Sequence, residues 1–86
     1  MKQPWMDMTV RDFQSALASS SPTPGGGTAA AVALGQSAAL TIMVCDLTLG
    51  NEKWKSGWSQ AESTLPKAVR IMSRAGELAD EIGRAH

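Results

Sequence analysis

The chain has 86 residues, and its eight basic and eight acidic side chains cancel to a formal net charge of zero. A neutral chain lacks the basic footprint of a nucleic-acid-binding protein, so no partner of that class is expected. The single cysteine, Cys45, excludes an internal disulfide. A domain this small must therefore draw stability from oligomerisation or from further sequence.

The composition favours helices and predicts a cytoplasmic protein. Four aromatic residues, no tyrosine and no β-branched run leave little from which to build strands. The first residues contain no apolar core of a signal peptide, and a lone thiol fits a reducing compartment. We expect no β-sheet, no signal peptide and a cytoplasmic location.

A first helix is predicted at about residues 9–18. Thr9 and Asp12 have the spacing of a capping box, in which the threonine closes the helix start. Val10, Phe13 and Leu17 then recur at helical spacing and form one apolar face.

A loop rich in serine, proline and glycine follows, and a long helix is predicted after it. Thr28 is a good N-cap, and the chain from Thr28 to about Leu49 is rich in alanine, the strongest helix former. This stretch is apolar nearly all round, which predicts burial on several sides. Its length also suits a membrane span, but Asp46 would be costly in lipid. We therefore favour a central bundle helix, with no membrane partner.

The last helix carries a broad apolar stripe from Leu65 to Ile82, and residues 83–86 are predicted to be an unstructured end. Pro66 fits only near the start of this helix, or at a kink if the helix begins at Glu52. Trp54 and Trp58 lie one helical turn apart, so we expect their rings to pack together.

These elements predict an all-α protein with a long central small-residue helix, on which two further helices pack. The central helix is one of three, and the two others cannot cover it on all sides, so apolar surface must remain exposed. The chain is therefore expected to form a homo-oligomer. No repeat or linker divides residues 1–86 into two domains.

The glycine loop is the candidate binding site. Glycines permit positive φ and close backbone approach, and the first N–H groups of a helix have no intrahelical partner. Together they predict a site for an anion or a carbonyl oxygen. A P-loop would need a lysine that is absent, and a dinucleotide fingerprint would need a preceding strand. A tight helix–helix connection, with glycines that only allow close packing, explains the same residues equally well.

Three blocks in chain order carry a resemblance to the cyclodeaminase/cyclohydrolase family of folate enzymes. They are Thr9–Phe13, the run Ser21-Pro22-Thr23-Pro24-Gly25-Gly26-Gly27-Thr28 with the alanines after it, and Leu47-Thr48-Leu49-Gly50 followed by Lys53 and Trp54. The resemblance implies that residues 1–86 are a single partial domain, the N-terminal part of an all-α subunit that dimerises. It also implies the topology, an up-and-down helical bundle, of which this chain is a fragment. It also implies a tetrahydrofolate one-carbon substrate, with no metal and no further cofactor.

Two reactions are implied by this family, and both need a general acid and base. One closes formiminotetrahydrofolate to the methenyl form with loss of ammonia, and the other hydrates the methenyl form to 10-formyltetrahydrofolate. The alternative is a non-enzymatic, truncated helical oligomer that retains the fold. Many members carry an acidic residue where this chain has Ser15, which favours that alternative.

The predicted site residues fall into two groups. Those predicted to bind substrate are Ser21, Thr23, Gly25, Gly26, Gly27 and Thr28. Asp46 and Lys53 are the candidate catalytic pair, each with the alternative role of a polar residue at a helix end. Asp46 lies roughly 27 Å along the helix from the loop, so only an antiparallel partner subunit can bring both regions to one ligand.

Overall fold

A computed structural model of the chain describes residues 4–22 and 24–85. Three α-helices are present: α1 (Val10–Ala18), α2 (Gly26–Leu49) and α3 (Trp58–Ala85). An N-terminal 3-10 turn (Trp5–Asp7) precedes α1, and a 3-10 connector (Glu52–Gly57) joins α2 to α3. Residues 4–22 and 24–85 include no β-strand, which confirms the all-α prediction.

The two long helices form an antiparallel pair with a seam of small residues. Three buried residues of α2 and three of α3 recur every seven positions: Ala31, Ala38 and Cys45, and Ala61, Ala68 and Ala75. A seven-residue repeat keeps one face of each helix against its partner, as in a coiled coil. The backbones approach closely, since a Cβ built on Gly35 would lie only 3.5 Å from the Cβ of Ala75.

The first helix confirms its predicted start. The Thr9 hydroxyl accepts a hydrogen bond from the Asp12 backbone N–H at 3.0 Å. Phe13 is buried, and its ring meets Trp5 edge to face with centroids 6.2 Å apart. The Met6 backbone N–H donates to Asp80 Oδ1 at 3.1 Å, so the N-terminal segment is attached to α3.

The predicted N-cap of the central helix is wrong by three residues. The N-cap is Gly25, whose extended backbone (φ −104°, ψ −172°) precedes the first helical residue, Gly26. Thr28 is therefore inside the first turn, where its side chain is buried. The error arose because both residue types are favoured N-caps, and the two glycines between them adopt helical conformation.

Two predictions about the last helix are also wrong. Pro66 lies well inside α3 rather than near its start, and α3 continues to Ala85 instead of ending at residue 82. A proline costs about 3 kcal/mol in a helix interior. The continuous seam against α2 offsets that local cost. His86 lies outside the described residues.

Only one face of α2 is covered, which corrects the expectation of burial on several sides. Its outer apolar side chains remain about half exposed or more: Leu34, Leu40, Met43, Val44 and Leu47. By length and composition α2 would pass as a membrane span, a test that a mostly buried core helix of a soluble protein and an N-terminal signal sequence also pass. In this chain 22% of the most apolar window of α2 is buried. The expected excess of exposed apolar surface is thus confirmed.

Candidate functional site

The start of α2 presents unpaired backbone donors. The Gly25 carbonyl accepts from the Ala29 N–H at 3.0 Å, which is the first hydrogen bond of the helix. The N-cap residue is a glycine, and no side chain of the described residues caps this end. The N–H groups of Gly26, Gly27 and Thr28 therefore lie ahead of the first intrahelical donor, at the positive end of the helix dipole. This arrangement suits an anion or a carbonyl oxygen.

The three loop glycines have different surroundings. A Cβ on Gly25 would lie 3.3 Å from the Pro22 carbonyl oxygen, and one on Gly27 would lie 3.3 Å from Ile82 Cγ2. A Cβ on Gly26 would meet nothing within 4 Å. None of the three adopts the left-handed conformation we expected, because Gly26 and Gly27 belong to the helix. Gly27 therefore serves helix packing, and Gly26 leaves the helix start open.

Thr28 is the most unusual residue of this region. Its side chain is fully buried, and its hydroxyl has no hydrogen-bond partner among the described residues. A buried hydroxyl without a partner costs about 1–3 kcal/mol. Because none of the Thr28 side chain is exposed, a ligand at the helix start does not reach this hydroxyl in the folded chain.

The remaining predicted binding residues are only partly described. Ser21 is exposed in the loop, and its backbone N–H donates to the Ser19 hydroxyl at 3.3 Å. Pro24 is buried at the base of the loop. Thr23 lies outside the described residues.

The candidate catalytic pair lies at the opposite end of the molecule. Asp46 and Lys53 are both exposed near the junction of α2 with the 3-10 connector. Asp46 follows Gly26 by 20 helical residues, a separation of roughly 30 Å. One chain therefore does not bring Asp46 to its own glycine loop.

The two tryptophans near this junction do not pack as predicted. The Trp58 indole N–H donates to the Thr48 carbonyl at 2.8 Å, and the Lys55 ammonium lies 5.9 Å from the Trp58 ring centroid. Trp54 is 55% exposed, and within residues 4–22 and 24–85 its ring forms no aromatic pair with Trp58. The non-helical backbone at Trp54 (φ −104°, ψ 23°) breaks the helical spacing on which the prediction depended.

An apolar groove of about 420 Å³ lies between α1 and the first half of α2. Trp5, Phe13 and Leu17 line one side, and Ala33 and Gln36 line the other. None of the residues that line it is charged. Sequence reasoning missed this groove, although small residues on one flank of α2 were a visible signal for it.

No metal centre is apparent in the described part of the chain, where no three His, Cys, Asp or Glu side chains cluster. The described residues of the candidate site offer backbone donors, hydroxyls and exposed charged side chains.

Comparison with known proteins places these features in a family. Residues 9–82 match the family described as formiminotransferase-cyclodeaminase. The chain is 40% identical over 75 residues to a methenyltetrahydrofolate cyclohydrolase of Methylorubrum extorquens AM1. That match covers 86% of this chain and 36% of the relative, so the chain spans about a third of its length. No solved structure gives a significant match. The family match covers most of the chain, which therefore belongs to the formiminotransferase-cyclodeaminase family.

Proposed function

We propose that this chain forms the folate-binding end of a one-carbon enzyme, a cyclodeaminase or a methenyltetrahydrofolate cyclohydrolase. The start of α2 would receive a carboxylate or a carbonyl oxygen of a reduced folate. Backbone N–H groups at a helix start favour such oxygens and are already ordered before binding. The folate derivative is the substrate, and the reaction as proposed uses no metal or further cofactor.

The observation that carries this proposal is the start of α2, where no side chain of the described residues caps the first backbone N–H groups of the helix. A ligand oxygen would accept hydrogen bonds from these N–H groups. The open space at Gly26 leaves room for that approach.

Asp46 and Lys53 remain our proposed acid/base pair. Ring closure with loss of ammonia and hydration of a methenyl carbon each require a proton to move to or from the reacting group. Because both side chains lie at the far end of α2, they can act only on a ligand bound to another chain.

A non-enzymatic helical oligomer is the second candidate function. It is favoured by the distance of Asp46 from the glycine loop, roughly 30 Å along α2. Such an oligomer would keep the α2–α3 pair and bind no folate.

Titration with 5,10-methenyltetrahydrofolate, followed by calorimetry, separates the two candidates. The wild-type chain and a version extended with the rest of the Methylorubrum relative serve as paired samples. We expect Thr28→Val to raise the unfolding free energy by about 1–2 kcal/mol, since it removes an unpaired buried hydroxyl, and to leave folate binding unchanged, because that hydroxyl is fully buried.

Gly26→Val is the companion variant, because its side chain would enter the open space beside the helix start. We expect it to keep the helical circular dichroism signal and to lose folate binding. If the extended wild type binds no reduced folate, the enzyme proposal is wrong and the oligomer remains.

A further inference from the structure

The groove between α1 and α2 has the size and the lining of a small-molecule site. Its volume of about 420 Å³ falls within the range of ligand pockets, roughly 300–1,000 Å³. Such pockets are mostly apolar and contain a few polar groups that orient the ligand. The side chains that line this groove are apolar except for those of Thr9, Gln14 and Gln36. The groove is therefore a candidate ligand site in its own right.

The attachment of α1 keeps this groove open in the folded chain. The helices α2 and α3 contact each other closely, whereas α1 makes few close backbone contacts with either of them. The segment before α1 positions it instead, because Trp5 meets Phe13 edge to face and the Met6 N–H donates to Asp80. The Met6 side chain also lies beside Gly76, where an added Cβ would be 3.5 Å from Met6 Cε. A preformed space of this kind lowers the ordering cost of binding.

The polar side chains that remain available in the groove are amides. The Thr9 hydroxyl already accepts from the Asp12 N–H, as the cap of α1. Gln14 on α1 and Gln36 on α2 are both exposed. Each amide offers one carbonyl acceptor and two N–H donors. This set matches the edge of a pyrimidinone ring, in which N–H donors lie beside a carbonyl oxygen. Because no lining side chain is charged, the groove favours an uncharged ring.

One end of the groove opens at the start of α2. Ala29 belongs to the first turn of the helix and also lines the groove. The lining continues along α2 through Gln36 to Ala39, about 15 Å further along the helix axis. The helix start favours negative charge, whereas the far end of the groove favours an uncharged ring. A ligand that matches both ends carries its negative charge at one end and its ring at the other.

We propose that the groove binds the two ring systems of a reduced folate, with the folate tail at the start of α2. This inference rests on the proposed function and adds the orientation of the ligand. Tetrahydrofolate has carboxylates at one end, an aminobenzoyl ring in the middle and an uncharged pterin at the other end. The aminobenzoyl ring lies against the alanine side of α2, and the amino-oxo edge of the pterin meets Gln14 and Gln36.

A fatty acid is the rival ligand, since it also combines a carboxylate with an apolar body. A hydrocarbon chain would cover the two glutamine amides without offering them a hydrogen bond. Loss of solvation without a replacement partner is costly for an amide. The pterin edge replaces those hydrogen bonds, so the amides favour the folate rings.

Fragments of the ligand test the two ends separately. Tetrahydropterin carries only the ring edge, and p-aminobenzoylglutamate carries only the middle ring and the tail. Heteronuclear NMR follows both titrations in the chain and in its extended version, under reducing conditions. We expect tetrahydropterin to shift the side-chain amide signals of Gln14 and Gln36. We expect p-aminobenzoylglutamate to shift the backbone amide signals of Gly26 and Gly27.

Removal of both amides tests their role. The double variant Gln14→Met, Gln36→Met keeps the side-chain length and the helix propensity. It should weaken tetrahydrofolate binding roughly tenfold, the effect of about one net hydrogen bond. Binding of p-aminobenzoylglutamate should not change. Gln60→Met is the matched control, because Gln60 is exposed on α3 and does not line the groove.

Filling the groove tests its volume. Ala33→Leu adds three carbon atoms on the α2 side of the groove and should abolish the tetrahydropterin shifts. Ala30→Leu is the matched control, because Ala30 is also exposed on α2 but does not line the groove. Circular dichroism should show the same helicity for both variants, since leucine is a strong helix former.

The outcomes separate the groove from the folate proposal. Tetrahydrofolate binding that the groove variants leave unchanged would overturn the groove assignment and keep the folate proposal. Decanoate binding as tight as that of tetrahydrofolate would also overturn the groove assignment. Tetrahydropterin shifts in the groove without p-aminobenzoylglutamate shifts at the helix start would support the groove and overturn the proposed tail site. If the extended version binds none of these probes, both proposals are wrong.

Discussion

The two ends of α2 differ in how their backbone groups are satisfied. At the C-terminal end, the Gly50 N–H donates to the Asp46 carbonyl at 3.0 Å, and the Trp58 indole donates to Thr48 at 2.8 Å. The Asn51 N–H also donates to the Thr48 carbonyl, at 3.3 Å. This end of the helix is closed by residues that follow it in the chain.

The N-terminal end has no comparable closure among the described residues. No described side chain caps the helix at Gly25, and the buried Thr28 hydroxyl has no partner there. Both ends of any helix begin with the same deficit of unpaired backbone groups. Residues that follow α2 satisfy part of that deficit at its C-terminal end, and the folate site that we propose lies at the other end.

The largest expected effect on the unfolding free energy comes from substituting Gly27. This glycine lets the start of α2 pack closely against α3. Gly27→Val would place a Cβ 3.3 Å from Ile82 Cγ2 and add two further methyl groups in the same space. We expect a loss of about 1–3 kcal/mol in the unfolding free energy, typical of overpacking. Urea denaturation at a fixed protein concentration measures it.

The matched control is the same substitution one residue earlier. Gly26→Val meets no atom within 4 Å of its Cβ, so its unfolding free energy should stay within about 0.5 kcal/mol of wild type. If the two variants are equally destabilised, the assignment of Gly27 to packing and Gly26 to access is wrong.

The helices were predictable because their signals are local. The cap of Thr9 on α1 follows from two residues spaced by three, and the alanine-rich α2 follows from propensity. The exact start of α2 was not, since Gly25 and Thr28 are both favoured N-caps and local propensity does not choose between them.

The seam between α2 and α3 and the groove beside α1 show two different limits of prediction from the sequence. The seven-residue spacing of Ala31, Ala38 and Cys45 is visible in the sequence, but an analysis of composition alone does not reveal it. The groove depends on the position of α1. The segment before α1 is held against α3 by the hydrogen bond from the Met6 N–H to Asp80, which is 74 residues away in the chain. A contact of that sequence separation leaves no periodic signal.

A smaller loss of stability is expected when Trp58 no longer donates its indole N–H to the C-terminal end of α2. Trp58→Phe keeps an aromatic ring but leaves the Thr48 carbonyl without the hydrogen bond at 2.8 Å. The expected loss is about 1–1.5 kcal/mol, the value of one partly buried hydrogen bond. Thermal unfolding by circular dichroism detects it. Trp54→Phe is the control and should leave stability unchanged, because Trp54 is 55% exposed and its ring pairs with no other.

The smallest effect concerns Asn51, which begins the 3-10 connector at the same closed end. Its side-chain oxygen accepts from the Lys53 N–H at 2.9 Å. Asn51→Ala removes this cap and should lower the unfolding free energy by about 0.5–1 kcal/mol, whereas Asn51→Asp keeps the acceptor and should not. A loss for alanine alone supports a closed end built from several small hydrogen bonds. If alanine and aspartate behave alike, the cap contributes nothing, and Trp58 with Gly50 closes this end of α2.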